Sequence, residues 1–97
     1  MDTIKILIEQ AIQETERALA IAKISQAACE AEVHDIGAEV REAEAIWETE
    51  KTENAGIALD RLYHLHDNAS RELYNATDDA ETLDKVLDLL KEASWKL

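Results

Sequence analysis

From Ile4 the apolar or small residues recur at Ile8, Ala11, Thr15, Ala18, Ala22, Ser25, Cys29, Val33 and Ile36, in steps that mostly alternate between four and three. Such spacing lines up on one side only if the backbone is helical, so the chain is committed to a long amphipathic helix at its start. Asp2 or Thr3 supplies a capping oxygen, and His34-Asp35-Ile36-Gly37 reads as a stop, because glycine tolerates the left-handed conformation that ends helices. A first helix from about Thr3 to His34 is predicted. At roughly 1.5 Å per residue it outreaches a compact domain of about 13 Å radius of gyration, so other elements must cover its ends.

The seam resumes at Val40, Ala43 and Trp47 and then meets Glu48-Thr49-Glu50-Lys51-Thr52-Glu53-Asn54, a stretch with no apolar member. Either it is a solvated turn of a kinked second helix reaching Ala76, or the chain breaks at Asn54-Ala55-Gly56 and restarts at Ile57; the kinked helix is favoured. Ala58, Leu62, Leu65, Ala69, Leu73 and Ala76 keep the helical period. Thr77-Asp78-Asp79 then offers caps for a last helix lined by Leu83, Val86, Leu87, Leu90 and Leu97. With no Pro, two Gly, sixteen Ala and eleven Leu in 97 residues, turn-rich β architectures are disfavoured. The expected fold is all-α: one domain over residues 1–97, an antiparallel bundle of three or four helices with a long first helix.

Acidic residues outnumber basic ones by 22 to 10, a net charge of −12. Such a field repels phosphate backbones and anionic lipids, which argues against direct binding to nucleic acid or membranes and for a basic partner. The N-terminal segment lacks the basic leader and cleavage pattern of a signal peptide, and no run approaches the 18 or so uncharged apolar residues of a membrane span. A cytoplasmic location is expected. The lone Cys29 fits a reducing compartment and, lying on the apolar seam, reads as an inert small hydrophobe.

His34-Asp35-Ile36-Gly37 resembles the signature of HD-domain phosphohydrolases, in which a His-Asp doublet holds metal beside an earlier His and a later Asp. The resemblance covers four residues. No histidine precedes His34, and that family's helical domain is larger than this chain, so the segment is read as a helix end with a histidine suited to the dipole. A second doublet, His66-Asp67, with His34 upstream and Asp84 or Asp88 downstream, is the weaker way to complete such a set. His64 and His66 point about 200° apart on a helix and cannot chelate together, and no Glu-x-x-His pair of the di-iron type is present. No catalytic apparatus, cofactor site or metal site is expected.

The charge is uneven. Residues 30–53 hold nine acids against Arg41 and Lys51. If this segment is helical with Val40, Ala43 and Trp47 inward, Glu39, Glu42, Glu50 and Glu53 share one flank with Ile46. Like charges so spaced cost roughly 0.2–0.5 kcal/mol per pair, which asks for a reason beyond folding, although solubility alone can supply one. The sharper expectation is a non-enzymatic protein whose acidic flank, centred on Ile46, docks on a basic, nucleic-acid-binding protein by mimicking a polyanion. In size and charge the chain is similar to small phage-encoded inhibitors, anti-CRISPR proteins among them. The alternative is a homo-oligomeric helical scaffold or adaptor in which Ala11, Ala18, Ala22 and Cys29 form the subunit seam. Exposed Leu7, Ile12, Leu19 and Ile24 beside that seam favour a homodimer.

Overall fold

The computed structural model describes residues 2–97 and contains two α-helices, α1 (Asp2–Glu50, 49 residues) and α2 (Glu53–Trp95, 43 residues). They form a helical hairpin. No strand occurs among the described residues. The sequence-based expectation of three or four helices is therefore corrected at three points.

First, α1 does not stop at His34-Asp35-Ile36-Gly37. Gly37 has no positive φ and lies inside the helix. An interior glycine costs about 0.5–1 kcal/mol relative to alanine, too little to end a helix whose inward period runs on through Ile36 and Val40. Second, the kinked helix across residues 48–54 is absent; the break falls at Lys51 and Thr52, just before the Asn54-Ala55-Gly56 alternative. Lys51 takes φ 49°, and its N–H donates to the Trp47 carbonyl at 2.9 Å, a left-handed cap closing α1. Thr52 opens α2: its Oγ1 accepts from the Ala55 N–H at 3.2 Å, and its carbonyl accepts from the Gly56 N–H at 3.1 Å. Third, α2 passes through Thr77-Asp78-Asp79 without interruption. The repeat Leu73, Ala76, Ala80, Leu83 leaves no gap there, and a capping oxygen cannot end a helix whose next turn is packed.

The inward residues of α1 are Ile8, Ile12, Thr15, Leu19, Ala22, Gln26, Cys29, Val33, Ile36, Val40 and Ala43; those of α2 are Leu59, Leu62, His66, Ala69, Leu73, Ala76, Ala80, Leu83, Leu87, Leu90 and Ser94. All are buried or half-buried, and both sets alternate steps of four and three. This is the 3.5-residue period of coiled-coil pairing. The seam expected from the sequence differs in the first half of α1, where Ile12, Leu19 and Gln26 turn inward in place of Ala11, Ala18 and Ser25, and in α2, where Leu59 and His66 take the places expected for Ala58 and Leu65, and Val86 is exposed. Leu19, expected to be exposed, is buried at 7% of its accessible area. At residues 12 and 19 the bulkier neighbour wins because it removes more apolar surface from water, at roughly 25 cal/mol per Å², whereas Gln26 turns inward onto a hydrogen-bond partner.

The hairpin comprises two compact units, each built from both helices. Unit 1 joins the start of α1, through Gln26, to the end of α2 from Ala76; unit 2 is Ala27–Asn75. In unit 1 Leu19, Ala80 and Leu87 form a buried cluster, with Ile12, Ala22 and Leu83 packed against it. The Gln26 Nε2 donates to Thr77 Oγ1 at 3.2 Å, satisfying a polar residue on the inward face. In unit 2 the buried residues are Val40, Leu59 and Ala69. Gly56 lies under the Trp47 ring: a Cβ there would sit 3.1 Å from Trp47 Cζ3, so the glycine lets the indole close over the start of α2.

Candidate functional site

In unit 2 the uninterrupted helix decides which carboxylates stand together. Glu39 and Glu42 are exposed on one flank of α1, with Ile46 beyond them 45% exposed. Because the helix continues through Gly37, Glu32 and Asp35 lie on the same flank, seven and four residues before Glu39. Reading His34–Gly37 as a stop hid both of them; the unbroken apolar spacing through Val33, Ile36 and Val40 was the signal that could have found them.

Glu50 and Glu53 stand differently from the other three. Glu50 is the last residue of α1, and Glu53 is the first of α2, across the Lys51-Thr52 turn. The strip expected on a single helix therefore holds Glu39, Glu42, Ile46 and Glu50, while Glu53 belongs to the other helix. Their local electrostatics are opposite. An acid in the first turn of α2 complements the positive end of the helix dipole, so Glu53 has a folding role. Glu48 and Glu50 close α1, whose last turn has no basic residue, and they stand at the dipole's negative end, where a carboxylate is unfavourable. Folding does not account for them.

Among the described residues no Lys or Arg forms an ion pair with any of these acids. Those present are Lys96–Glu92 at 3.3 Å, His64–Asp60 at 3.6 Å and His34–Asp35 at 3.8 Å. Arg41, the one cation between Glu30 and Glu50, projects to the other side of α1, with Nη1 3.7 Å from the position of a Cβ on Gly37. On that other side Tyr63 meets Glu44. Desolvation, followed by the negative charge of Glu44 and a hydrogen bond to it, holds the Tyr63 phenol above its ordinary pKa of 10.0.

The histidines do not converge. His34 is exposed beside Asp35, His64 pairs along its own helix with Asp60, and His66 is half-buried with Nε2 4.0 Å from the position of a Cβ on Gly37. Among the described residues no group of three or more His, Cys, Asp or Glu is placed to hold a metal ion. Cys29 is free and half-buried. Among the described residues no helix is long and apolar enough to cross a membrane.

The four residues expected to form a subunit seam divide. Ala22 packs against the buried cluster of unit 1, and Cys29 lies on the inward line of unit 2, so the hairpin itself occupies both. Ala11 and Ala18 sit on the flank beside that line. Ala18 lines a groove of about 430 Å³ between the helices of unit 1, with Ile21, Ser25, Ala76 and Thr82 around it and Asp79 as its one charged residue. Comparisons with known proteins match the chain to no family, no curated protein and no solved structure.

Proposed function

We propose that the protein is a non-enzymatic interaction protein whose unit 2 docks, through the acidic flank of α1, on a basic, nucleic-acid-binding protein and occupies the site that a phosphate backbone would take. The observation that carries this reading is the run Glu32, Asp35, Glu39 and Glu42 on one helical face, without a lysine or arginine partner and ending at the half-exposed Ile46. Successive acids three and four residues apart repel one another by roughly 0.2–0.5 kcal/mol per pair, a cost that a basic partner relieves. The carboxylates steer the encounter, and Ile46 gives the contact a desolvated centre that slows release.

The test uses proteins retained by a DNA column from a cell lysate, passed over the immobilised chain. Capture that is lost on adding duplex DNA, lost in high salt, and lost when Glu32, Glu39 and Glu42 become Gln and Asp35 becomes Asn supports the proposal. Capture that survives DNA competition, or that the substituted chain retains in full, refutes it.

A further inference from the structure

Unit 1 carries a second face that the acidic docking reading does not use. On the flank of α1 beside its inward line stand Ile4, Leu7 and Ile21, with Glu14 between the last two, and on the corresponding flank of α2 stand Val86 and Leu89; the five apolar residues are all exposed, Ile21 at 69% and Leu89 at 65%. The groove beside Ala18 and Thr82 places these two flanks on one side of the unit. A face of this kind needs cover, and we infer that a second copy of this chain supplies it, unit 1 against unit 1, to make a four-helix arrangement.

Three observations select a second copy. The first is charge. Two chains of net charge −12 repel, and the repulsion is least where acids are best offset by bases. Unit 2 holds twelve acidic residues against four basic ones, whereas the segments forming unit 1 hold ten against six. The second is area. Five large side chains, exposed by between 40% and 69%, present roughly 500 Å² per copy, the area of a small and weak interface below the ~800 Å² per partner of a standard one.

The third is shape. A two-fold contact between identical faces must be self-complementary. In an antiparallel α1–α1 contact centred between residues 12 and 13, Leu7 falls opposite Ala18 and Ile4 opposite Ile21. The bulky end of one copy then enters the groove of the other. The same register keeps every contact on this one flank, because positions 4, 11 and 18 meet positions 21, 14 and 7 of the same helical repeat, which sets Glu14 of each copy against the small Ala11 of the other. The thin interior gives the pairing a purpose: only six hydrophobic residues are buried among those described, and no side chain is fully buried. Burying the exposed flank adds what a single hairpin lacks.

The inference is independent of the acidic docking site and is tested by light scattering on the full chain at concentrations well above micromolar. The expected mass is twice 10.9 kDa. Ile21→Glu and Leu89→Lys are expected to return it to that of one chain, with helicity by circular dichroism retained, since both side chains are already exposed in the single hairpin. Ile46→Glu, in unit 2, is expected to leave the dimer intact. A monomeric parent chain overturns the inference. So does a dimer that survives both unit 1 substitutions, or one that Ile46→Glu dissociates.

Discussion

Units 1 and 2 are made from the same two helices with the same repeat, yet their flanks differ in chemistry. In unit 1 the flank of α1 beside the seam carries Ile4, Leu7 and Ile21 with a single acid, Glu14, and the facing flank of α2 carries Val86 and Leu89; in unit 2 the corresponding flank of α1 carries Glu32, Asp35, Glu39 and Glu42 before Ile46. A coiled-coil seam fixes only its inward positions, two in every seven, and leaves the flanks open to other demands. The contrast teaches that in a two-helix fold the pairing specifies the architecture and the flanks specify the partners. An apolar flank suits association with a copy of itself; an unpaired acidic flank suits a basic protein.

The largest expected effect separates the two flanks by function. Replacing Glu32, Glu39 and Glu42 by Gln and Asp35 by Asn should weaken capture of a basic partner on the order of a hundredfold, while thermal unfolding stays within a few degrees of the parent. Ile21→Glu should leave that capture unchanged. Within unit 1 itself, core and flank should part clearly in chemical denaturation. Leu19→Ala removes a buried side chain and is expected to cost about 2–5 kcal/mol, whereas Ile24→Ala, at a position 71% exposed, should stay within about 0.5 kcal/mol.

Smaller effects sharpen the account of unit 2. Thr52→Ala deletes the cap of α2 and should lower stability by about 1 kcal/mol, measured by denaturant titration. Gly37→Ala should raise stability by about 0.5–1 kcal/mol: the position is helical, and the added Cβ meets nothing closer than 3.7 Å. A loss there would revive the helix-stop reading of His34–Gly37.

The smallest effect concerns Tyr63. Its raised pKa means that the fold favours the neutral phenol. The associated stability is present below pH 10.0 and declines as pH rises through the folded-state value. Ultraviolet titration should show the Tyr63 transition moving down towards 10.0 in Glu44→Gln, and an unmoved transition would remove Glu44 from the explanation.

Much of this was legible in the residues. The helical class follows from the spacing of Ile8, Thr15, Ala22, Cys29, Val33 and Ile36, which all turn inward. The apolar-free segment Glu48–Asn54 contains the turn, although its residues also suit the kinked helix expected from the sequence. What misled was the weight given to punctuation. Gly37 and Asp78 look like a stop and a start, but each acts locally and is worth about 1 kcal/mol, whereas a packed repeat running through both sites involves every turn of the helix. The choice between Ala18 and Leu19 for the seam was also open in the sequence, because adjacent small and large residues satisfy the same period. Packing against Ala80 and Leu87 decided it. The acidic flank was found in part for the same reason: its N-terminal carboxylates, Glu32 and Asp35, lay beyond a helix end that does not exist.

The docking claim is tested most directly by calorimetric titration of the chain with a captured basic nucleic-acid-binding protein, at low salt and at 0.15 M, where the Debye length is about 8 Å. The expected result is an affinity that falls by about tenfold or more between the two conditions, and a fall that disappears when the four carboxylates of Glu32, Asp35, Glu39 and Glu42 are neutralised. Equal affinity at both salt concentrations, or the same salt dependence without those charges, would contradict the assignment of this flank as the docking surface.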